Sequence, residues 1–248
     1  MGQQLINVLL ALMIIVSFLA AIALHEWSHA LMASWLGDGT PRAEGRQTLS
    51  LRSHIDPVGI LMCVILAFQP YFAPPVGLGW GKPVKPDPWK MRIGPNAGVL
   101  TVAWTGPIFS LLLGLLVSVI ARFVTPFLIT NPITAHVLQL LVVFGCVNIA
   151  LALLNLIPLY PLDGYQILYT LLPSKQAVQF ARSAPYGPFI ILIVFFLLPF
   201  LANLSPGIGG FFLFHLASYI WEGAISLMAL VAGPLPGNFD IVSIYLMR

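Results

Sequence analysis

The sequence predicts an all-α polytopic membrane protein, with five to six transmembrane helices, a re-entrant or short segment, and a small β-hairpin at the membrane interface. Three observations predict it. Of 248 residues, 59% are hydrophobic and only 8% are charged, against roughly 25% charged in soluble domains. The mean hydropathy is +0.95. Several apolar runs approach or exceed the roughly 20 residues that cross a bilayer.

The first run extends from about Gln4 to Leu36 and stops at "GDG". It opens "MGQQLINVLL", without Lys or Arg, and no small-residue cleavage site closes it. It therefore reads as a retained helix and not as a signal peptide. "TPRAEGRQTLSLRS" follows, polar with some alternation, the pattern of a short hairpin or interfacial strand over residues 40–54. Residues 57–73 are apolar but short, and residues 74–92 are a loop dense in Pro and Gly. Apolar runs resume at about 97–121, 133–158, 186–203 and 208–232. "PLDGYQILYTLLPSK" reads as a short helix between the second and third of these. Cys63 and Cys146 lie inside apolar runs, which argues against a disulfide framework. A net charge of +3 carried in short loops suits membrane orientation and not nucleic-acid binding.

"ALHEWSHALM" (23–32) places His25, Glu26 and His29 near the end of the first apolar run. H-E-x-x-H on a helix sets two imidazoles four residues apart on one face, fit for a zinc ion, with the glutamate beside them to carry a proton. Ionisable groups within a membrane are costly and mark function. A catalytic zinc takes three protein ligands and leaves one open position. No further His follows within a turn or two, so the third ligand comes from elsewhere. Asp163 stands out in "NLIPLYPLDGYQIL", where Pro158 and Pro161 break a helix and Gly164 follows. Taken alone, it reads as a helix N-cap.

HEWSH together with "NLIPLYPLDG" resembles the site-2 protease family of intramembrane zinc metalloproteases, which pairs HExxH with a distant N-x-x-P-x-x-x-L-D-G. Asn155, Pro158, Leu162, Asp163 and Gly164 fill the second motif in register. "HIDPVG" (54–59), "GWGKPVKPDP" (79–88) and "TGPIFS" (105–110) resemble the compact subgroup without a PDZ domain. The resemblance covers about residues 15–172. It implies that His25, His29 and Asp163 hold one catalytic Zn²⁺, that Glu26 is the catalytic acid/base, and that Asn155 lies near the substrate backbone. Many relatives carry Asn where Ser110 stands, so Ser110 is assigned no role. His54, a loop histidine, is assigned none either.

The expected reaction is hydrolysis of peptide bonds in the transmembrane helices of single-span substrates, regulated intramembrane proteolysis, with the lipid bilayer as surroundings and no nucleic-acid partner. Residues 1–172 form the catalytic core, and 173–248 add two transmembrane helices as a substrate gate. In 208–232, His215 and Glu222 lie seven apart on one face and read as a structural pair or gate contact. An extended substrate segment is expected to pair with an edge strand over 40–54. The competing classes are a divalent-metal transporter, which has no need of Glu between two His, and an inactive scaffold that binds membrane helices, which has no need of a proton carrier.

Both zinc motifs must reach one side of the bilayer, so 57–73 is expected not to cross. Under the resulting five crossings, only Arg122 among the Lys and Arg residues lies opposite the rest. The positive-inside rule then sets the site near the cytoplasmic face, with the N-terminus outside and the C-terminus inside. The resemblance implies a prokaryotic cell membrane.

Overall fold

The computed structural model describes residues 7–69, 75–204, 211–235, 237 and 239–247. Helix α1 (Val8–Trp35) opens where the side chain of Asn7 accepts from the Leu10 amide and runs 28 residues. That is about 42 Å at about 1.5 Å per residue, enough to cross. The short helices α2 (Thr40–Ala43) and α3 (Leu51–His54) follow. Helix α4 (Pro57–Ala67) is capped by Asp56, whose carboxylate accepts from Val58 and Gly59. It has 11 residues, about 16 Å, which cannot span a core about 30 Å thick.

The hairpin expected over 40–54 is not there. Local turns satisfy the backbone of this segment, with Ala43 N–H donating to Gly39, Glu44 to Thr40 and Arg46 to Pro41. Among the described residues the β-pairing consists of one isolated antiparallel bridge, Ile55 to Gly81. The extended chain near α1 is instead residues 75–87, interrupted by no helix.

Residues 75–81 run alongside α1 after the short α4; the last residues of segment 57–73 lie outside the described set. The return is set by glycine. A Cβ on Gly77 would strike Ile14, on Gly79 it would lie 2.9 Å from Phe18, and on Gly81 2.7 Å from Ile22. Alternate residues of an extended chain advance about 6.6 Å, and four residues of helix advance about 6 Å. The two rises match, so glycines two apart meet α1 side chains four apart. This register delivers Gly81 to Glu26, one turn beyond Ile22.

Helix α5 (Pro95–Leu128) starts beside the end of α1, where Arg92 N–H donates to Leu36 O. Helix α6 (Pro132–Leu154), capped by Asn131, runs back against it. Both are longer or shorter than the apolar runs suggested. The run carries on through Pro107 and Pro126 in α5, while Pro158 and Pro161 leave 155–162 irregular. Helices α7 (Asp163–Leu171) and α8 (Ser174–Ala181) follow. Next come α9 (Gly187–Leu192), a π turn over Ile193–Leu197, and α10 (Leu198–Leu204). Helix α11 (Leu216–Ala232) packs on α5 and α6, and α12 (Ile241–Tyr245) folds back over the start of α6.

Among the described residues, five segments are long and apolar enough to cross a membrane: Val8–Trp35, Pro95–Leu128, Pro132–Leu154, Ser174–Leu204 and Phe212–Ala232. The two ends of the chain nonetheless share one face. Asn7 Nδ2 and Gln139 Nε2 both donate to Met247 O, at 3.4 and 2.7 Å. This corrects the expected arrangement with N- and C-termini on opposite sides. Gly187 packs on the backbone of Tyr160 beside the zinc motifs. Ala232 O accepts from Arg122, near the far end of α5. Residues 187–232 therefore carry the chain across once in net, although two apolar segments lie within them.

Candidate metal centre and cleft

His25, Glu26 and His29 are all buried in the last turns of α1. The i, i+4 spacing sets both imidazoles against α5. There a glycine makes room: a Cβ on Gly106 would collide with His29 Nε2 and lie 2.6 Å from His25 Nε2. Asp163 arrives from the broken chain after α6. Asn155 shapes that break. Its Nδ2 donates to Leu151 O at 2.9 Å, its Oδ1 accepts the Asp163 N–H at 3.3 Å, and its carbonyl accepts the Gly164 N–H at 2.6 Å.

The three side chains converge. Asp163 Oδ2 is 3.0 Å from His25 Nε2 and 3.2 Å from His29 Nε2, and the two Nε2 atoms are 3.2 Å apart. A tetrahedral zinc with ligands at about 2.0–2.1 Å holds them about 3.3 Å apart, so this triangle is the size the ion requires. The outer nitrogens support the same use. His29 Nδ1 donates to Val102 O at 2.7 Å, which fixes the tautomer and leaves Nε2 with its lone pair free for a metal. His25 Nδ1 lies 2.9 Å from Ser110 Oγ. Two facing imidazole lone pairs would repel without a cation between them. Among the described residues, these three form the one such group of potential ligands.

Glu26 faces the other way, toward the returning chain. Its Oε2 accepts from the Val84 N–H at 3.2 Å and lies 3.7 Å from Arg46 Nη2. A cleft of about 280 Å³ opens beside Glu26, His29 and Asp163. Its walls are the strap 83–86, the α5 face with Val99, Val102 and Ala103, and Tyr160 and Tyr165.

The predicted residues thus divide. His25, His29 and Asp163 meet, with Glu26 beside them. Asn155 is buried, and both ends of its amide are engaged within the chain. His54 lies away from the triad, buried, with Nε2 donating to Thr48 O at 2.6 Å; burial lowers its pKa. Glu222 is exposed, and the His215 ring lies 6.4 Å from that of Tyr219. Sequence reasoning missed Gly106, Ser110, Val102 and Arg46. The first two stand in "TGPIFS", four apart on one face of α5, which was the available signal. Arg46 carries none.

The family model described as Peptidase family M50 matches residues 124–199. A Bacillus subtilis (strain 168) protein provisionally named zinc metalloprotease YwhC is 29% identical over 197 residues, 75% of this chain and 80% of that protein. A Mycobacterium tuberculosis (strain ATCC 25618 / H37Rv) protein provisionally named zinc metalloprotease Rip2 is 28% identical over 201 residues, 81% of this chain and 70% of that protein. No solved structure matches the chain.

Proposed function

We propose that this chain is a zinc metalloprotease of the site-2 protease type and that it hydrolyses peptide bonds within the transmembrane helices of single-span membrane proteins. The observation that carries the reading is the triangle of His25, His29 and Asp163 donors, with Glu26 opening on the same cleft. His25, His29 and Asp163 would hold the zinc. A zinc held by these three residues would supply Lewis acidity to a water and to the scissile carbonyl. Glu26 accepts the proton of the attacking water and passes it to the leaving amine. Val84 N–H holds one carboxylate oxygen of Glu26, so the side chain is aimed before substrate arrives.

A helical substrate hides its peptide bonds in i→i−4 hydrogen bonds and must unwind before attack. The unwound stretch is received along the extended wall at 83–86, in place of the 40–54 strand that the fold lacks. Asn155 contributes by holding Asp163 in its turn. The segment Ser174–Leu204 is mostly exposed, which supports its use as a side gate. The charge pattern supports a cytoplasmic site: among the described residues, every Lys and Arg except Arg122 belongs to segments at the zinc-motif end.

Glu26→Gln, assayed on a single-span substrate in liposomes, tests the reaction. Cleavage should fall on the order of 10²-fold or more, with zinc retained. Unchanged cleavage would overturn the mechanism.

A further inference from the structure

A second set of polar residues lies behind Glu26, on the side away from the triad. Arg46 is 5% exposed and His54 0%. The Arg46 guanidinium donates through Nη2 to Lys82 O and stands 3.7 Å from Glu26 Oε2. Two residues on, Val84 N–H donates to that same oxygen. The strap 81–87 is tied down at both ends. Lys82 N–H donates to His54 O at 2.8 Å, and Asp87 N–H donates to Asp38 Oδ2 at 2.7 Å. One guanidinium therefore touches both the carboxylate that moves the proton and the strap that walls the cleft.

We infer that Arg46 is a positioning residue for hydrolysis, fixing the Glu26 carboxylate against the strap so that its second oxygen is the one presented to water. The inference rests on the proposed role of Glu26. An arginine suits the task because Nη2 alone carries two N–H groups held in the guanidinium plane, so one atom serves both the Lys82 carbonyl and the Glu26 carboxylate. His54 is its buried neighbour. With Nε2–H given to Thr48 O, the neutral ring offers Nδ1 as an acceptor beside Arg46. Arg46 Nη1 and His54 Nδ1 are both buried without a protein partner, one a donor and one an acceptor. Their chemistry is complementary.

The test is kinetic, on full-length Arg46→Ala and Arg46→Lys in liposomes, with zinc content and thermal midpoint measured on the same samples. Arg46→Ala should lose kcat on the order of 10²-fold, with KM, zinc content and midpoint near those of the parent. Added guanidinium ion should restore part of that kcat and leave Glu26→Gln unmoved. Arg46→Lys, which keeps the charge, should fold and fall between. If Arg46→Ala does not fold, the kcat of Arg46→Lys decides. Full activity in the variants that fold, or a loss that follows zinc content or midpoint, overturns the inference. Persisting cleavage in Glu26→Gln would instead remove the reading beneath it.

Discussion

The carboxylate of Asp163 lies 3.0 Å from Nε2 of His25, 138 positions earlier. The approach is possible because α5 carries a glycine against the imidazoles. A methyl group at Gly106 would occupy the space of both Nε2 atoms. Gly→Ala inside a helix ordinarily stabilises by about 0.5–1 kcal/mol. Gly106→Ala is therefore expected to leave the helix intact while zinc stoichiometry and cleavage collapse. Metal analysis beside circular dichroism checks it, and a fully zinc-loaded, active Gly106→Ala would refute the packing argument.

Ser110 stands against His25. Its Oγ is 2.9 Å from Nδ1 and fully buried. Loss of such an outer partner costs about 10–100-fold in metal affinity. Ser110→Ala should release zinc to a chelator at correspondingly lower concentration, and Ser110→Asn, which keeps a polar partner, should recover part of the difference. Equal chelator titrations for parent and Ser110→Ala would dismiss the role.

His54 gives the fold an acid-sensitive contact. Burial lowers its pKa, and the charged group facing it is Arg46. The folded ring stays neutral where an unfolded one, with a pKa of about 6.5, takes up a proton. Stability from this residue is therefore present above about pH 6.5 and is lost as pH falls below it. The thermal midpoint in detergent should drop as pH falls below about 6.5, and less steeply in His54→Gln. Parallel slopes would show that His54 does not carry the effect.

Surface labelling checks the topology. Trp89 is 84% exposed beside the site, and Ile133 is 79% exposed at the start of α6. Cysteines at 89 and 133 should react from opposite sides of a sealed vesicle, 89 from the cytoplasmic face. A C-terminal tag should be reached from the same side as 133, since Met247 lies at that end. Reaction of 89 and the tag from one side would contradict the fold.

The sequence by itself determined what depends on neighbours along the chain. Apolar runs long enough to span lipid marked the helices. The i, i+4 spacing put His25 and His29 on one face. The shortness of 57–73 argued against a crossing, while the LDG run after two prolines read by itself as a helix cap, and only its resemblance to a family motif pointed to Asp163. Only the tertiary structure decided the rest, because it turns on pairings between distant segments. The alternation in 40–54 resembles a strand, yet Arg46 is drawn inward to Lys82 O and Glu26, and local turns satisfy the backbone. Glycines 77, 79 and 81 face α1 only because the rise of an extended chain matches that of a helix. Ser110 and Gly106 become meaningful only once α5 lies against α1. The side on which the C-terminus emerges was hidden as well: counting apolar runs gives an odd number of crossings, while packing of α11 against α5 and of Met247 against Gln139 returns the chain to its starting face.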